Sequence, residues 1–448
     1  MTDTLPDLTA RLLAAARAAG ADAADAIAVA GTATEIDVRD GRLEKAERQE
    51  GTDIGLRVLV GRRQACTSAS DTSDATIETL AARAVAMARE APEDPFAGLA
   101  DTDQLATDTD SSRLMLHDPA PEPDPQALES DARTAEEAAR AVPGVTRMDA
   151  ASAGWSRREI HLAATNGFAG GYVRTDRDIS AVAISGEGTG MERDWDHDSR
   201  IFQADLRDPS EIGRIAGERA VARQAPRRPR TGTYPVLFDE RISSSLIGHL
   251  VSAISGTAIA RGASWARDLA GAQVLPDDMS LIEDPHRPRT FGSRIFDAEG
   301  LPTAARAIVE AGRLTGWTLD LATARKLGLA STANAARGTG GPPSPSVTNL
   351  ELTPGTRTRD DLIRDMGTGL VVTSMIGATI NPNTGDYSRG ASGFWVQDGD
   401  IAHPVAEVTI AGNLRDMLAR IVPANDARRH LSRVVPSLLV DGMTLAGD

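Results

Sequence analysis

The sequence is poor in the residues that form disulfides and sulfur-ligated metal sites. Its 448 residues include one cysteine, Cys66, which excludes an internal disulfide and a cysteine-rich zinc or iron–sulfur site. A single thiol suits a reducing compartment, and we expect a cytoplasmic protein. Aromatic residues make up only 3% of the chain, so Ala, Leu, Ile and Val must supply most of the core.

Long apolar runs are missing as well. Two long uncharged stretches, 242–260 and 366–385, contain many Ser, Thr, Gly and Asn residues, so neither is apolar enough to cross a bilayer. Two acidic residues precede the first basic residue, Arg11, which is unlike a signal peptide. A net charge of −16 argues against binding to a nucleic-acid backbone. We therefore predict neither a membrane nor a nucleic acid as a partner.

The length predicts two or three domains, and the order of elements predicts the α+β class. We place an N-terminal α+β unit at 1–110, a second α+β unit at 111–228 and a β-rich C-terminal domain at 229–448. The Pro- and Arg-rich stretch 226–232 marks the main break. In the C-terminal domain, short strands separated by turns predict a curved or barrel-like sheet.

Hydrophobic periodicity and turn residues predict the individual elements. Asp40-Gly41 and Asn166-Gly167 are expected to form turns between strands. The predicted helices are 8–19, 74–90, 125–141, 210–223 and 241–255. The predicted strands of the first two units are 26–30, 34–38, 43–48, 53–60, 63–68, 145–152, 158–164, 171–173 and 181–185.

Two short histidine-containing segments are candidates for chemistry. None of the seven histidines is followed by Glu, so an intact His-Glu metalloprotease helix is absent. In the predicted helix 241–255, His249 follows three serines, Ser243 to Ser245, and the residues alone favour a core-packed helix with a hydrogen-bonded histidine. Asp196-His197-Asp198 is interpreted as a solvated loop, because neighbours on a strand point to opposite faces and would not converge on a metal.

The segment 381–399 combines turn residues with the aromatic pair Phe394-Trp395 and the predicted turn Asp398-Gly399. Composition predicts a structured loop followed by a hairpin. Together with 401–404 and 407–414, this segment resembles the C-terminal signature of the TldD/PmbA family, and more narrowly its PmbA (TldE) branch. The resemblance extends to the stretches 55–60, 67–71 and 365–370, and so covers nearly the whole chain.

The resemblance implies a degenerate catalytic motif. TldD-type members are zinc metallopeptidase subunits with a His-Glu-x-x-x-His helix and a distant cysteine ligand. In this sequence Ser244 stands at the first histidine, Ser245 at the general-base Glu and His249 at the second histidine. The C-terminal region contains no cysteine. A serine hydroxyl is a poor zinc ligand and cannot replace a carboxylate as a proton acceptor.

The preferred hypothesis is therefore a non-catalytic, PmbA/TldE-like subunit of a heterodimeric zinc metallopeptidase that degrades unfolded peptides. The resemblance implies a TldD-type partner that carries the zinc, no catalytic or metal-ligating residue on this chain, and an unfolded peptide as the ligand. The possible chamber or peptide-contact loop contains Asp386, Tyr387, Ser388, Phe394 and Trp395.

Two alternatives remain at this point. One is a homodimeric peptide-binding or scaffold protein without catalytic activity. The other is an independent hydrolase whose metal site is assembled from scattered residues such as His249, His403 and Asp386.

Overall fold

The computed structural model describes residues 3–447 and confirms the α+β class. Its helices are α1 (Leu5–Ala18), α2 (Asp74–Glu90), α3 (Pro125–Arg140), α4 (Pro209–Ala222), α5 (Glu240–Ala253), α6 (Gly256–Ala260), α7 (Leu321–Leu327), α8 (Arg359–Met366) and α9 (Leu414–Leu418). The predicted helices 8–19, 74–90, 125–141, 210–223 and 241–255 correspond to α1 to α5. Within the described part of the chain, no helix has both the length and the apolar content that a membrane span requires.

Long strands dominate the N-terminal half, and most strands of the C-terminal half are shorter. The first six are β1 (Ala23–Arg39), β2 (Arg42–Val60), β3 (Arg63–Ala69), β4 (Val145–Ala164), β5 (Ala169–Ser185) and β6 (Glu192–Arg200). The remaining strands are β7 (Gly232–Phe238), β8 (Leu281–Glu283), β9 (Arg306–Glu310), β10 (Arg313–Leu314), β11 (Ala335–Ala336), β12 (Ser344–Pro345), β13 (Leu350–Leu352), β14 (Gly369–Ile380), β15 (Asp386–Gln397), β16 (Asp400–Asn413), β17 (Val422–Pro423), β18 (Arg433–Val434) and β19 (Leu438–Ala446).

Strands from both N-terminal units form one antiparallel sheet in the order β3-β2-β1-β4-β5-β6. Alternate residues of β1, such as Ala26 and Ile36, face the helices, with α1 and α2 covering one end and α3 and α4 the other. Ile27 and Val29 lie on the opposite face, where they join a cluster that includes Phe296 of the C-terminal region. The C-terminal region therefore packs on the face of the sheet that the four helices leave free.

The predicted turns are confirmed, but the predicted strands are too short. Asp40 and Gly41 both have positive φ, as a two-residue hairpin requires, and they join β1 to β2. The predicted strands 26–30 and 34–38 are one strand, β1, because the residues between them stay in register with β2. In the same way, the predicted strands 145–152 and 158–164 are one strand, β4, and the predicted strands 171–173 and 181–185 are one strand, β5.

The interpretation of Asp196-His197-Asp198 as a solvated loop is wrong. These residues lie in β6, paired with β5 at the edge of the sheet. Asp194, Asp196 and Asp198 are buried on one face, where arginines neutralise them: Arg219 and Arg207 bind Asp196 at 2.8 and 2.7 Å. Ion pairing with arginines distant in sequence makes a strand of acidic residues stable in a buried position.

The C-terminal region contains the predicted barrel. Strands β16, β15, β14, β7 and β19 are neighbours in that order, and pairing of β16 with β19 closes the ring. Helix α5 packs against one face of these strands, with Leu246 and Leu250 in the cluster that contains Phe238. Helix α8 packs against the other face, beside Leu237 and Val371. A second sheet in the order β10-β9-β8-β13-β18 completes this region.

Candidate functional site

Helix α5 carries the three positions that correspond to the metallopeptidase motif. The helix begins at Glu240 because the carboxylate of Asp239 caps it, accepting a hydrogen bond from the backbone N–H of Arg241 at 3.3 Å. Leu246 and Leu250 are fully buried against the barrel strands and fix the rotation of the helix. The middle of α5 is therefore a core-packed segment, as the residue pattern predicts.

Two polar atoms in the middle of α5 are buried without partners. Among the described residues, neither the Ser245 hydroxyl nor the Nε2 atom of His249 has a hydrogen-bond partner. The sequence-based expectation of a hydrogen-bonded His249 is therefore wrong at Nε2, because the neighbouring surface is the ring of Tyr387. That ring meets the His249 imidazole edge to face, with centroids 5.8 Å apart.

The surroundings of His249 favour the neutral imidazole. Burial lowers the pKa of His249, and the positive charge of Arg389 lowers it further. Burial also raises the pKa of Tyr387 to about 12, and the phenol lies 3.3 Å from the Met375 sulfur as a hydrogen-bond donor. The pair is thus uncharged at neutral pH, and its contact is apolar in character.

The residues at the motif positions do not fit zinc. They offer one imidazole, from His249, and two neutral hydroxyls, from Ser244 and Ser245, whereas a catalytic zinc site takes about three imidazole, carboxylate or thiolate ligands. Across residues 3–447, no three His, Cys, Asp or Glu side chains are placed to hold a metal ion together. No metal-dependent step is therefore assigned to these residues.

The segment predicted as a chamber or peptide-contact loop is a strand. Asp386, Tyr387, Ser388, Phe394 and Trp395 all lie in β15, which pairs with β14 on one side and β16 on the other. This prediction of a loop is wrong because the turn-forming residues end at Gly385, and the long ladder with β16 continues from Asp386 to Gln397. Whether these residues contact a peptide stays a prediction.

The five side chains of β15 do not form one surface. Tyr387 and Trp395 belong to the cluster beneath α5, and Trp395 meets Tyr234 edge-on with centroids 5.0 Å apart. Phe394 packs on the opposite face, toward α8. Asp386 is exposed and accepts hydrogen bonds from Thr384 and Asn413, which lower the pKa of its carboxyl group.

The scattered set His249, His403 and Asp386 is not brought together. Asp386 begins β15 and lies opposite Asn413, whereas His403 lies opposite Trp395, nine positions further along β15. At about 3.3 Å per residue, this separation is roughly 30 Å. The geometry offers no support for a metal site built from these three residues.

Sequence reasoning missed the ion pairs that hold the start of α5. Arg241 binds Asp194 of β6 at 2.9 Å and Asp239 at 3.3 Å, and all three side chains are nearly buried. Glu240 binds Arg428 at 2.7 Å. The alternating aspartates of 194–198 were the available signal, because such a pattern on a strand puts all three carboxylates on one face.

Comparison with known families covers most of the chain. The PmbA/TldA metallopeptidase domain 1 matches residues 24–88, the central domain matches 118–224, and the C-terminal domain matches 231–447. Each match lies inside one of the three units predicted from the sequence.

Similar proteins cover most or all of the chain. The chain is 35% identical to the metalloprotease PmbA of Escherichia coli O157:H7 over 93% of this chain and 90% of that protein. It is 34% identical to a metalloprotease PmbA homolog of Haemophilus influenzae, over 91% and 89%. A crystal structure of a proposed modulator of DNA gyrase from Bacteroides thetaiotaomicron matches with a TM-score of 0.89 at 25% identity, over the whole of both chains.

TldE from Thermococcus kodakarensis shares the fold, with a TM-score of 0.85 at 19% identity over 98% of this chain and all of that one. The three family matches and the identity to PmbA proteins over more than nine-tenths of the chain agree with the residue-level resemblance. The chain therefore belongs to the PmbA/TldD metallopeptidase family, in its PmbA branch.

Proposed function

We propose that this chain is the non-catalytic subunit of a heterodimeric zinc metallopeptidase that degrades unfolded peptides. The observation that carries the proposal is the donor set of α5, where two hydroxyls, Ser244 and Ser245, and one half-buried imidazole, His249, replace the ligands and general base of a metallopeptidase. A TldD-type partner would supply the zinc and the catalytic groups.

In this proposal the chain encloses the reaction chamber, binds extended peptide and stabilises the partner. The motif helix retains a structural role, because Leu246 and Leu250 anchor it in the barrel core. A cytoplasmic location is part of the proposal, since the half-buried thiol of Cys66 is the only cysteine of the sequence.

The test is to purify this chain alone, a TldD-type protein alone, and the two after co-expression. Bound zinc is measured by mass spectrometry, and peptide hydrolysis is measured with an unfolded protein substrate. We expect the two chains to co-purify, zinc to follow the partner, and full hydrolysis to need both. Stoichiometric zinc and turnover from this chain alone would refute the proposal.

A variant of this chain separates a structural role from a catalytic one. In the assembled complex, His249→Phe keeps the aromatic contact with Tyr387 but cannot bind metal or transfer a proton. We expect this variant to retain at least half of the hydrolysis rate, and mutation of the partner's general-base Glu to abolish it. Failure of the two proteins to co-purify would instead favour the homodimeric peptide-binding alternative.

A further inference from the structure

Strand β2 has a long outer edge that no neighbouring strand covers. All of β2 pairs with β1 on one side, whereas β3 pairs only with residues 54–60 on the other. Among residues 3–447, no backbone hydrogen bond reaches the outer edge of the segment 42–53. Alternate residues of an antiparallel strand direct their N–H and C=O groups to each edge, so this segment presents a row of free donors and acceptors.

The opposite edge of the same sheet is protected, and the edge of β2 is not. In β6, the carbonyl oxygens of Trp195 and His197 accept hydrogen bonds from the side chains of Arg219 and Arg207, at 3.2 and 2.8 Å. In β2, every residue from 42 to 51 is exposed except the half-buried Glu47. A further strand could therefore add to β2 without displacing any described part of the chain.

The charges along this edge are inverted about Ala46. Lys45 precedes it and Glu47 follows it, and one position further out stand Glu44 and Arg48. When two copies of a strand pair antiparallel about a two-fold axis, the central residue faces itself, and positions equally distant from the centre face each other. Centred on Ala46, this register places Lys45 opposite Glu47 of the second copy. It also places Glu44 opposite Arg48 of the second copy.

The other symmetric registers centred within 44–50 are unfavourable. A centre at residue 44, 45, 47, 48 or 50 would place a charged side chain opposite its own copy. A centre at Gln49 would place Glu44 of the second copy opposite Ile54, where Ala69 of β3 already pairs. With the centre at Ala46, Gly41 of the second copy lies opposite Gly51, so its hairpin turn ends before Ile54.

A β-bulge keeps the shared ladder short. Glu44 is the extra residue of the bulge, because Lys45 pairs with Asp37 while Leu43 pairs with Val38. Regular pairing between two copies is therefore confined to the residues next to Ala46. An interface of this size is typical of a weak and reversible association.

The existing ion pairs of the edge are compatible with a second copy. Lys45 binds Glu35 at 2.7 Å and Glu47 at 2.8 Å within the chain, and all three side chains are substantially exposed. Pairing about Ala46 adds the Glu47 of the second copy on the same face, so charges of alternating sign surround the axis. Exposed pairs of this kind contribute little free energy, but they discriminate between registers.

We propose that the outer edge of β2 pairs with the same edge of a second copy of this chain, antiparallel and centred on Ala46, so that the two N-terminal sheets become continuous. Backbone hydrogen bonds supply the attraction, and the charges set the register. The inference goes beyond the proposed function. It makes no use of α5 or of a TldD-type partner and is measured on this chain alone.

The first test is sedimentation velocity over a range of concentrations, with charge-reversed variants. Lys45→Glu makes both positions beside Ala46 acidic, and Glu47→Lys makes both basic, so we expect each variant to self-associate at least about tenfold more weakly than the wild type. An equimolar mixture restores opposite charges in both pairs and should associate like the wild type. Both variants keep a strongly negative net charge, so a general attraction between them is absent.

Arg193→Glu is the matched control. It reverses the charge of an arginine whose side chain is 75% exposed and which lies in β6, at the other end of the sheet. The change in charge is the same as in Lys45→Glu. We expect the self-association of this variant to equal that of the wild type.

The second test reads the register by disulfide formation in a Cys66→Ser background, which removes the native half-buried thiol. Directly opposed residues of antiparallel strands have Cα atoms about 4.5–5.5 Å apart, within reach of a disulfide. Ala46→Cys should therefore give a covalent dimer on oxidation. Gln49→Cys is the control, because its two copies would lie six positions apart, or about 20 Å, and should not cross-link.

Four results would overturn the proposal. They are a wild-type chain that stays monomeric at millimolar concentration, a mixture of the two charge variants that does not associate, and a disulfide that forms at Gln49→Cys but not at Ala46→Cys. The fourth is a monomeric chain in which Lys45→Glu prevents co-purification with a TldD-type protein, since the edge would then belong to that partner. Zinc content and hydrolysis decide the proposed function separately, so the two proposals fail independently.

Discussion

At the residue scale, the middle of α5 carries two serines and one histidine at the positions where the metallopeptidase motif has two histidines and a glutamate. The Ser245 hydroxyl and the His249 Nε2 atom are buried and unpartnered among residues 3–447, which usually signals either a missing ligand or a tolerated cost. The edge-to-face contact with Tyr387 and the lowered pKa of His249 favour a tolerated cost over a missing ligand. Here His249 acts as an aromatic packing residue.

The substitution His249→Phe tests this role by stability. Phenylalanine retains the ring contact with Tyr387 and removes an unpartnered nitrogen, so we expect the free energy of unfolding at pH 7 to stay equal or rise by about 1 kcal/mol. The pKa of His249 is lower in the folded protein than in the unfolded chain, so the unfolded chain takes up the proton first as the pH falls below about 6.5. Acidification therefore lowers the free energy of unfolding of the wild-type protein through His249, and the variant does not have this loss.

The measurement is urea-induced unfolding of both proteins at pH 7 and pH 5.5. The other titratable groups are common to both proteins, so their effects cancel in the difference between the two free energies of unfolding. We expect this difference to shift in favour of His249→Phe at the lower pH. A variant that is several kcal/mol less stable at both pH values would mean that the imidazole has a polar partner.

At the element scale, local signals predicted helices and turns better than sheets. Capping residues and apolar spacing located α1 to α5, and Asp40-Gly41 located the first hairpin. Strand β6 was missed because its burial depends on arginines such as Arg219 and Arg241, which are distant in sequence. The same holds for the candidate site. The serines of α5 can be identified from the sequence, whereas the contact of His249 with Tyr387 depends on how the barrel folds.

The ion pair between β6 and α5 leads to a second prediction. Asp194→Asn leaves the buried Arg241 with Asp239 as its remaining carboxylate, and we expect the free energy of unfolding to fall by about 2–4 kcal/mol. Asp149→Asn is the matched control, because Asp149 is exposed and its partner Arg193 lies 3.7 Å away; there the expected loss is below about 0.5 kcal/mol. Urea unfolding measures both, and equal losses would contradict the structural role of the Asp194–Arg241 pair.

At the scale of the whole molecule, one hydrophobic cluster joins the N-terminal sheet to the C-terminal region. Phe296 is almost completely buried and packs edge-on against Phe168, with ring centroids 5.1 Å apart. Ile27 and Leu162 of the sheet belong to the same cluster. Because this apolar contact is shared, neither half buries its surface fully without the other, and we expect the chain to unfold as one cooperative unit.

The substitution Phe296→Ala tests that cooperativity. Loss of a buried phenylalanine typically costs about 3–5 kcal/mol, and here the loss falls on the contact between the two halves. Differential scanning calorimetry should show one transition for the wild-type protein and two for the variant. Phe394→Ala is the control, because Phe394 packs within the C-terminal region beside α8 and its loss should lower Tm without dividing the transition. A single, merely shifted transition for Phe296→Ala would show that the polar contacts, including Asp25 with Arg337, suffice to couple the halves.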